Sequence, residues 1–493
     1  MSEDKEEIGE KVIIGLEIHA YLNTDSKLFC PCSTDSENAE PNSKVCPICL
    51  GHPGSKPVLN AKAVELAVKV GLAMNCEINK DFFFSRKTYF YPDMASNYQI
   101  TQYEVPVAQK GHITIPTGKK AGITRAHLEW DPAALVHPQG MGKSDYVLID
   151  YNRSGFPLIE IVTEPEIESP KEAREFLNAL ESILKYLNVL KPGSVLKVDA
   201  NISIYPNERI EIKNISGYAA VEKALNFELL RQRRELRMGK KIEQHTRAYN
   251  ADNGTTIELR KKETEEDYGY IFDPDLVKVS LTEGQIKEVE MGMPELPEAK
   301  AIRFQNDYGL NEYDARVITS DKDLGSLFGE MAQKADPNLS ARLLTRELLA
   351  VLNHDSLSLK DVEVSPEALI DLVGLMKEGK VSDKNVKQSV INYISGDKTR
   401  PKEFLEKNNL LISRNIDLAN ITSIVLSEHI KLADQVAVEY KTSDDERKLN
   451  YFMGQIMKKT KGAVDPSEVN KELKRQLRER NAEGNNTEDR QEE

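Results

Sequence analysis

Acidic, imidazole and basic side chains alternate with apolar ones in several short segments of this 493-residue chain. In the first segment, Val12–Leu22, the residues Glu17, His19 and Tyr21 alternate with aliphatic ones. Successive side chains of a β-strand point to opposite faces, so these three share one face. The pattern recurs at Arg125/His127/Glu129, Lys197/Asp199/Asn201/Ser203, Arg209/Glu211/Lys213 and Glu258/Arg260/Lys262. If the strands join one sheet, these five faces form a polar wall that could hold Mg²⁺ and phosphate oxygens, as phosphoryl transfer requires.

Single residues of the polar wall also have simpler interpretations. Two polar residues on one strand face, such as Glu17 and His19, are usually just solvent-exposed. The strongly apolar opposite face instead indicates a strand that lies on a core and points both groups into the same space. Asp199 and Asn201 are poor strand formers inside a good strand, which favours a chemical role. An edge strand with a bulge would also explain them.

Two carboxylates, Glu211 of the polar wall and Glu160, interrupt apolar runs. Glu211 lies between Ile210 and Ile212, and Glu160 lies within the run LIEIV at 158–162. A buried glutamate at such a position needs a partner or a metal.

Four of the five cysteines form a C-x-C pair, Cys30 and Cys32, and a C-x-x-C pair, Cys46 and Cys49. Four thiolates at this spacing predict a tetrahedral structural Zn²⁺ without an open position. The alternative is four reduced, buried cysteines whose spacing is accidental. Cys76 follows an apolar helix and is most simply a core residue.

Composition limits the class of protein. The chain is 40 % hydrophobic and 30 % charged, with no apolar run as long as the ~20 residues of a membrane span. The charged N-terminus does not resemble a secretory signal, so we expect a cytosolic protein without a membrane partner. The net charge of −14 argues against sequence-independent coating of nucleic acid, but it allows a local basic patch.

The patterning divides the chain near GMPELP at 292–297, where two prolines interrupt it. Before this point strands dominate, with helices predicted at Ala61–Met74, Pro170–Leu187 and Tyr218–Arg237. After it the pattern is helical, from 298 to 405 and from 406 to 480. The polar segment 481–493 is expected to be disordered.

Two basic clusters could contact nucleic acid. The cluster between Arg231 and Lys241 is more often a solvated helix face than a phosphate clamp. The lysines Lys458, Lys459 and Lys461, with the basic residues from Lys471 to Arg480, are the better candidate. A salt-bridged surface helix explains the second cluster equally well. The chain has no phosphate-binding loop, dinucleotide fingerprint, nucleophile elbow or kinase motif set.

The ordered motifs resemble those of the B subunits of tRNA-dependent aspartyl/glutamyl amidotransferases over nearly the whole chain. The motifs that carry the resemblance are GLEIH at 15–19, VCPICLG at 45–51, RKTYFYPD at 86–93, YQITQY at 98–103, DYNR at 150–153, EIVTEP at 160–165, DANIS at 199–203, EIKN at 211–214 and GQIMK at 454–458. The archaeal homologue specialised for glutaminyl-tRNA carries an inserted domain for which this chain has no room.

The resemblance implies an α+β fold with four parts. An antiparallel-sheet catalytic cradle, 1–293, carries a zinc-binding four-cysteine insert at 30–49. Two all-helical domains follow, 294–405 and 406–480, of which the second contacts tRNA, and then a disordered tail, 481–493.

The resemblance also implies the reaction. The family uses ATP to phosphorylate the side-chain carboxylate of Asp-tRNA(Asn) or Glu-tRNA(Gln), and ammonia then displaces the phosphate to form the amide. Implied cofactors are ATP, Mg²⁺ and Zn²⁺. Ammonia comes from a separate amidase (glutaminase), the A subunit of the complex, and a small C subunit joins the two.

Roles for individual residues follow from the same resemblance. The expected catalytic residues are Glu17, His19, Glu129, Asp199, Asn201 and Glu211, of which Glu17, His19, Glu129 and Glu211 hold Mg²⁺ or organise its water. The expected contacts to phosphate or substrate are Arg86, Lys87, Tyr91, Glu160, Lys213 and Arg260. Cys30, Cys32, Cys46 and Cys49 are the expected Zn²⁺ ligands.

The chain departs from the family pattern at three places, and two of them, Trp130 and Gly269, are the only support for a competing interpretation. Many relatives have two adjacent glutamates where this chain has Glu129 followed by Trp130, its only tryptophan. A nearby family lysine is replaced within Pro132–Ala134, and relatives often have arginine at the position of Gly269. A non-catalytic tRNA-binding scaffold that kept the fold and the zinc is therefore the alternative. The inward-facing carboxylates count against it.

Overall fold

The fold is taken from a computed structural model. The described residues are 11–36, 38–140, 144–260, 269–412, 417–439, 446–460, 464 and 466–488. Lys461 and Lys262, which the sequence analysis singled out, lie outside these ranges, and so does the side chain of Arg260.

The strands occupy the first part of the chain. They are β1 (Val12–Tyr21), β2 (Glu77–Ile78), β3 (Asp81–Phe82), β4 (Ser85–Thr88), β5 (Tyr98–Thr101), β6 (Ala108–Thr114), β7 (Lys120–Trp130), β8 (Ala134–Val136), β9 (Leu148–Asp150), β10 (Pro157–Thr163), β11 (Lys197–Ile204), β12 (Ile210–Ser216), β13 (His245–Asn250), β14 (Thr255–Arg260), β15 (Gly269–Phe272) and β16 (Val279–Ser280).

Among the described strands, nine form one sheet in the order β14-β13-β12-β11-β1-β10-β7-β6-β2. All five strands of the polar wall belong to this sheet, as the sequence analysis required. The neighbours pair antiparallel except for β12 and β13, which are parallel. A helical crossover connects these two strands, and a crossover of this length allows parallel pairing whereas a tight hairpin does not. Strands β4, β5 and β15 form a separate sheet of three.

The first four helices are α1 (Ala61–Ala73), α2 (Pro170–Tyr186), α3 (Tyr218–Arg237) and α4 (Glu283–Met291). Helix α3 forms the crossover between β12 and β13. The later helices are α5 (Pro297–Tyr308), α6 (Glu312–Thr319), α7 (Lys322–Ala332), α8 (Pro337–Arg342), α9 (Leu349–His354), α10 (Pro366–Lys377), α11 (Asp383–Ser395), α12 (Pro401–Lys407), α13 (Leu418–Glu428), α14 (Ile430–Glu439), α15 (Glu446–Lys459) and α16 (Pro466–Glu488). A π-helical segment, Leu343–Leu348, joins α8 to α9.

Local sequence explains why these elements form. The five alternate residues of β1 from Val12 to Ala20 are buried, whereas Glu17, His19 and Tyr21 are partly exposed. Helix α2 begins where the sequence predicts it, because the Ser169 hydroxyl accepts a hydrogen bond from the Glu172 amide and Pro170 occupies the first turn. Cys76 is buried in the core, which confirms the prediction for it.

The chain divides into two compact units, 1–297 and 298–493. The first has a core between the large sheet and the helices α1–α3. The second contains one helical core from Ala301 to Leu405 and another from Val425 to Leu477. The α+β prediction is therefore confirmed, while the domain boundaries near 293 and 405 stay predictions. Helix α16 runs to Glu488, eight residues beyond the predicted end of the second helical domain at 480.

Candidate active site

A cleft of about 330 Å³ lies over the middle of the nine-stranded sheet. We call it the central cleft. Its lining residues are Glu17, His19, Tyr21, Lys87, Gln99, Glu129, Asp131, Pro132, Leu158, Glu160, Lys197, Asp199, Lys213 and Ser216. The cleft collects seven residues of the predicted site, Glu17, His19, Lys87, Glu129, Glu160, Asp199 and Lys213.

Strand register brings these side chains together. His19 on β1 lies opposite Lys197 on β11 and opposite Glu160 on β10, and Glu160 in turn lies opposite His127 on β7. Directly opposed residues of antiparallel strands share a face with their Cβ atoms about 5 Å apart. The sheet therefore carries a row of four ionisable side chains across four adjacent strands.

Glu160 is shared by two groups that could each hold a cation. The first group is Glu17, His19 and Glu160, and the second is His127, Glu129 and Glu160. His19 Nε2 lies 3.6 Å from Glu17 Oε1 and 3.5 Å from Glu160 Oε2. His127 Nε2 lies 3.6 Å from the same Glu160 oxygen. Imidazole and carboxylate ligands on rigid strands suit a divalent cation.

The electrostatics of the two groups differ from residue to residue. Repulsion from Glu160, followed by burial, raises the pKa of Glu17 to about 7. Burial, followed by Glu160, raises the pKa of Glu129 to about 8. Burial opposes ionisation of Glu160, but the two histidines outweigh it and hold the pKa of Glu160 well below its usual value.

The histidines also differ. Burial disfavours the charged form of His19, yet the hydrogen bond and charge of Glu160 outweigh it and raise the pKa of His19 to about 10. Burial lowers the pKa of His127 to about 4. Without a cation, the protein thus favours the protonated forms of Glu17, Glu129 and His19, whereas Glu160 stays ionised and His127 stays neutral. A divalent cation would compensate this excess of acidic groups.

Lys87 and Lys213, which line the central cleft, provide positive charge there. Burial opposes the charge of Lys87, but Glu129 and Glu160 outweigh it and raise the pKa of the Lys87 ammonium group. Lys213 Nζ lies 3.6 Å from Asp199 Oδ2 and 3.7 Å from Glu211 Oε1. Cations among carboxylates in this arrangement can receive the oxygens of a phosphoryl group.

Asn201 and Glu211 lie opposite each other on β11 and β12 but do not line the central cleft. Glu211 is buried and accepts a hydrogen bond of 3.0 Å from the Thr246 hydroxyl. Strand β11 is an interior strand, so the edge-strand alternative is wrong for Asp199 and Asn201. The register between β11 and β12 shifts between Val198 and Ala200, but the extra residue lies on β12, so this irregularity does not place a bulge at Asp199 or Asn201.

Arg86 and Tyr91 do not join the cleft either. Alternation on β4 turns Arg86 away from Lys87, and its guanidinium group binds Asp273 and Asp275, with a distance of 3.0 Å in each ion pair. The same group stacks 4.5 Å from the ring centroid of Tyr98. Tyr91 is 53 % exposed and lies outside the cleft.

Sequence reasoning missed some of the cleft residues as site members. His127 and Lys197 were visible in the polar wall but received no role. Asp131, Gln99 and Ser216 carried no signal, because each lies at or beyond the end of a strand or on a strand of the smaller sheet. The Tyr21 hydroxyl donates a 2.6 Å hydrogen bond to Asp131 Oδ2.

The four cysteines Cys30, Cys32, Cys46 and Cys49 form one cluster, in which a sulfur of each lies within 4.8 Å of the others. We call residues 30–49 the cysteine module. The Sγ atoms of Cys46 and Cys49 are 3.9 Å apart, close to the ~3.8 Å edge of a tetrahedron with Zn–S bonds of ~2.3 Å. A hydrogen bond from Cys30 lowers the pKa of Cys49 to about 5 although burial opposes this. The donor set therefore fits a structural Zn²⁺.

The basic clusters are largely engaged with acidic side chains. Arg231 binds the buried Glu228, with 2.7 Å between Nη2 and Oε1. Lys459 pairs with Glu428, and Arg475 on α16 pairs with Glu472 and Glu479. Arg480 pairs with Asp434. These contacts match the salt-bridged alternative for those residues. No described helix is long and apolar enough to cross a membrane.

Known protein families match both units of the chain. Residues 12–287 match the model of the GatB/GatE catalytic domain, and residues 326–477 match the model of the GatB domain. All residues of the central cleft lie within the first match.

Relatives extend this similarity over nearly the whole length. The B subunit of the aspartyl/glutamyl-tRNA(Asn/Gln) amidotransferase of Methanosarcina mazei is 41 % identical over 490 residues, which cover 94 % of this chain and 98 % of that protein. The protein of the same name from Methanospirillum hungatei is 42 % identical over 476 residues, covering 94 % and 98 %. That of Brevibacillus brevis is 40 % identical over 475 residues, covering 94 % and 97 %. With both family models matched and such coverage, the chain belongs to the family of aspartyl/glutamyl-tRNA(Asn/Gln) amidotransferase B subunits.

Proposed function

We propose that this chain is the ATP-dependent subunit of a tRNA-dependent amidotransferase. It phosphorylates the side-chain carboxylate of Asp-tRNA(Asn), Glu-tRNA(Gln) or both, and the amide forms at the same site. The observation that carries the proposal is the shared position of Glu160 between two cation-binding groups, beside lysines, in a member of this family.

The reaction has two displacements. A carboxylate resists ammonia because it is negatively charged and has no leaving group. A carboxylate oxygen of the substrate first attacks the γ-phosphorus of ATP, and the bond to the β-phosphate oxygen breaks to release ADP. The ammonia nitrogen then attacks the acyl carbon, phosphate leaves with the C–O electron pair, and the nitrogen loses a proton to give the amide.

Residues of the two groups would hold Mg²⁺, with Glu17, His19 and Glu160 on one side and His127 and Glu129 on the other. The cation supplies charge neutralisation and in-line orientation of the phosphates. Because these side chains lie on hydrogen-bonded strands, their positions are fixed before the substrate binds. This lowers the free energy of reorganisation that phosphoryl transfer would otherwise require.

The cations of the cleft would bind the anionic oxygens. Lys87 and Lys213 are proposed contacts for phosphate, and Asp199 orients Lys213 through their ion pair. Glu211 supports this pair through its own contact with Lys213, and Asn201 lies opposite Glu211 on the neighbouring strand. Arg86 is not proposed as a contact because Asp273 and Asp275 already bind its guanidinium group. Tyr91 and Arg260 stay predictions.

The proposal includes further components. Zn²⁺ occupies the cysteine module. Ammonia arrives from an amidase, the A subunit of the complex, a small C subunit joins the two, and the helical C-terminal part contacts tRNA in the cytoplasm. The scaffold alternative loses one of its supports, because Trp130 is only 6 % exposed and packs 6.0 Å from Phe29, on the opposite strand face from Glu129.

The test is amide formation on mischarged tRNA by the co-expressed complex, with ATP, Mg²⁺ and glutamine. Glu17→Gln should abolish phosphate release dependent on aminoacyl-tRNA while tRNA binding persists. Glu211→Gln tests whether a residue outside the cleft lining is also required. A wild-type complex that binds tRNA but never consumes ATP would refute the proposal and favour the scaffold.

A further inference from the structure

A short segment, 150–155, connects the cysteine module to the central cleft. It precedes β10, the strand that carries Glu160, and contains the DYNR motif. Some of its side chains contact the cysteine module and another contacts residues of the central cleft, so the segment links the two.

On one side the segment holds the cysteine module. The Asn152 side-chain oxygen accepts a 2.7 Å hydrogen bond from the Lys44 amide, and the Asn152 side-chain nitrogen donates one of 2.8 Å to the Glu40 carbonyl. The Ser154 hydroxyl donates one of 2.9 Å to the carbonyl of Cys49, a member of the cysteine cluster. Asn152 and Ser154 are both buried; the Ser154 bond is shielded from water, whereas the two Asn152 bonds, to the exposed residues Lys44 and Glu40, are partly shielded.

On the other side Arg153 holds the wall of the cleft. Arg153 Nε lies 3.0 Å from Asp131 Oδ2. The Arg153 guanidinium group also donates to the carbonyls of Pro132 and Ala133, at 3.1 and 2.6 Å. Asp131 is only 7 % exposed, so its charge depends on this cation for compensation.

Asp131 connects Arg153 to two other side chains that line the central cleft. The same Oδ2 atom accepts the hydrogen bond of the Tyr21 hydroxyl, and Lys197 Nζ lies 3.2 Å from that hydroxyl oxygen. Tyr21 and Lys197 line the cleft on the strands that also carry Glu17, His19 and Asp199. Arg153 is thus linked to Tyr21 and Lys197 through Asp131.

We propose that Arg153 is a positioning residue of the central cleft, which fixes Asp131 and the Tyr21 hydroxyl relative to the cysteine module. This inference rests on the proposed function for its kinetic part. Lys197, whose ammonium group donates to the Tyr21 hydroxyl oxygen, then binds an anionic oxygen of the substrate in the orientation that Arg153 sets through Asp131 and Tyr21. The cysteine module has a defined task in this arrangement, which is to anchor the segment that positions the cleft.

The kinetic test is a double-mutant cycle in the full complex. Arg153→Met and Tyr21→Phe should each lower kcat/KM for ATP-dependent amide formation, and Arg153→Met should do so by about tenfold to a hundredfold, as expected for a misplacement of ~1 Å. The double variant should lose no more than Arg153→Met alone, because both changes break the same connection. Arg153→Lys, which keeps the charge, should recover part of the activity.

The control is Arg174→Met. It removes an ion pair of the same unit, with Glu222, but touches neither the module nor the cleft. Its effect should add to that of Tyr21→Phe. Additive losses for Arg153→Met and Tyr21→Phe, or full activity of Tyr21→Phe, would overturn the inference.

A second measurement does not depend on turnover. Trp130, the only tryptophan, precedes Asp131, and the Asp131 carbonyl accepts the Gly155 amide at 2.8 Å. In the zinc-loaded complex, Arg153→Met and Asn152→Ala should each shift Trp130 emission to longer wavelength and increase its quenching by acrylamide, at unchanged zinc content. Unchanged emission in both would overturn the inference. A wild-type complex without ATP consumption would instead refute the proposed function and leave this optical result valid.

Discussion

Glu160 Oε2 lies 3.5 Å from His19 Nε2. The contact joins adjacent strands, β10 and β1, and the same oxygen lies 3.6 Å from His127 on the opposite neighbour. One carboxylate thus bridges two imidazoles and joins the two groups that could each hold a cation.

The bridge predicts a large effect of Glu160→Gln, which keeps the side-chain volume and removes the charge. His19 loses the group that raises its pKa, and the two groups that could hold a cation lose the carboxylate that they share. We expect at least a hundredfold loss of ATP-dependent activation, on the scale of losing one transition-state contact. Single-turnover formation of the amide on mischarged tRNA measures this loss.

The matched control for this prediction is Glu172→Gln. Glu172 also pairs with a cation, Lys119, but lies on α2 outside the cleft. It should leave the activation rate unchanged. Equal rates for Glu160→Gln and the wild type would show that the bridge is not needed for activation.

Sequence alternation predicted the faces of the strands but not their order. Glu17 and His19 could be assigned to one face because β1 strictly alternates. His127 could not be assigned to the same site as His19, because the two residues meet only through β10, which lies between their strands. The strand order is set by long-range pairing, which local patterns do not encode.

Arg86 illustrates the other limit. Its motif, RKTYFYPD, predicted a ligand contact for both Arg86 and Lys87, yet adjacent residues of a strand face opposite ways. Only Lys87 lines the cleft. The partner of Arg86, Asp273, is distant in sequence and fully buried, so no local signal could reveal the ion pair.

Arg86→Met should therefore lower the stability of the fold rather than weaken ligand binding directly. It leaves the buried Asp273 carboxylate without its cation, which costs about 3–5 kcal/mol in comparable cases. Denaturant unfolding of the complex should show this loss, and Asp273→Asn combined with Arg86→Met should recover part of it. An unchanged unfolding free energy together with a raised KM for ATP would restore the ligand-contact hypothesis.

Removal of metal from the cysteine module should change the surroundings of Trp130. The Phe29 ring lies 6.0 Å from the Trp130 ring, and Phe29 directly precedes Cys30. A chelator that strips zinc, or Cys46→Ser, should lower the midpoint of thermal unfolding and shift Trp130 emission to longer wavelength. Zinc content by elemental analysis must fall in parallel. Cys76→Ser is the control, because Cys76 lies outside the cluster; it should keep the zinc. Full stability without zinc would favour the four reduced cysteines.

The departure at Trp130 can be tested by giving the chain the paired glutamates that many relatives have. Trp130 is buried against Phe29, whereas Glu129 faces the cleft on the other side of β7. Trp130→Glu should bury an unpaired charge and destabilise the protein by more than about 3 kcal/mol, without strengthening Mg²⁺ binding. Trp130→Phe should keep activity within about threefold, because an aromatic ring still fills the site. Unfolding free energies and Mg²⁺ titrations of both variants check this. Tighter Mg²⁺ binding by Trp130→Glu would show that this position does belong to the metal shell.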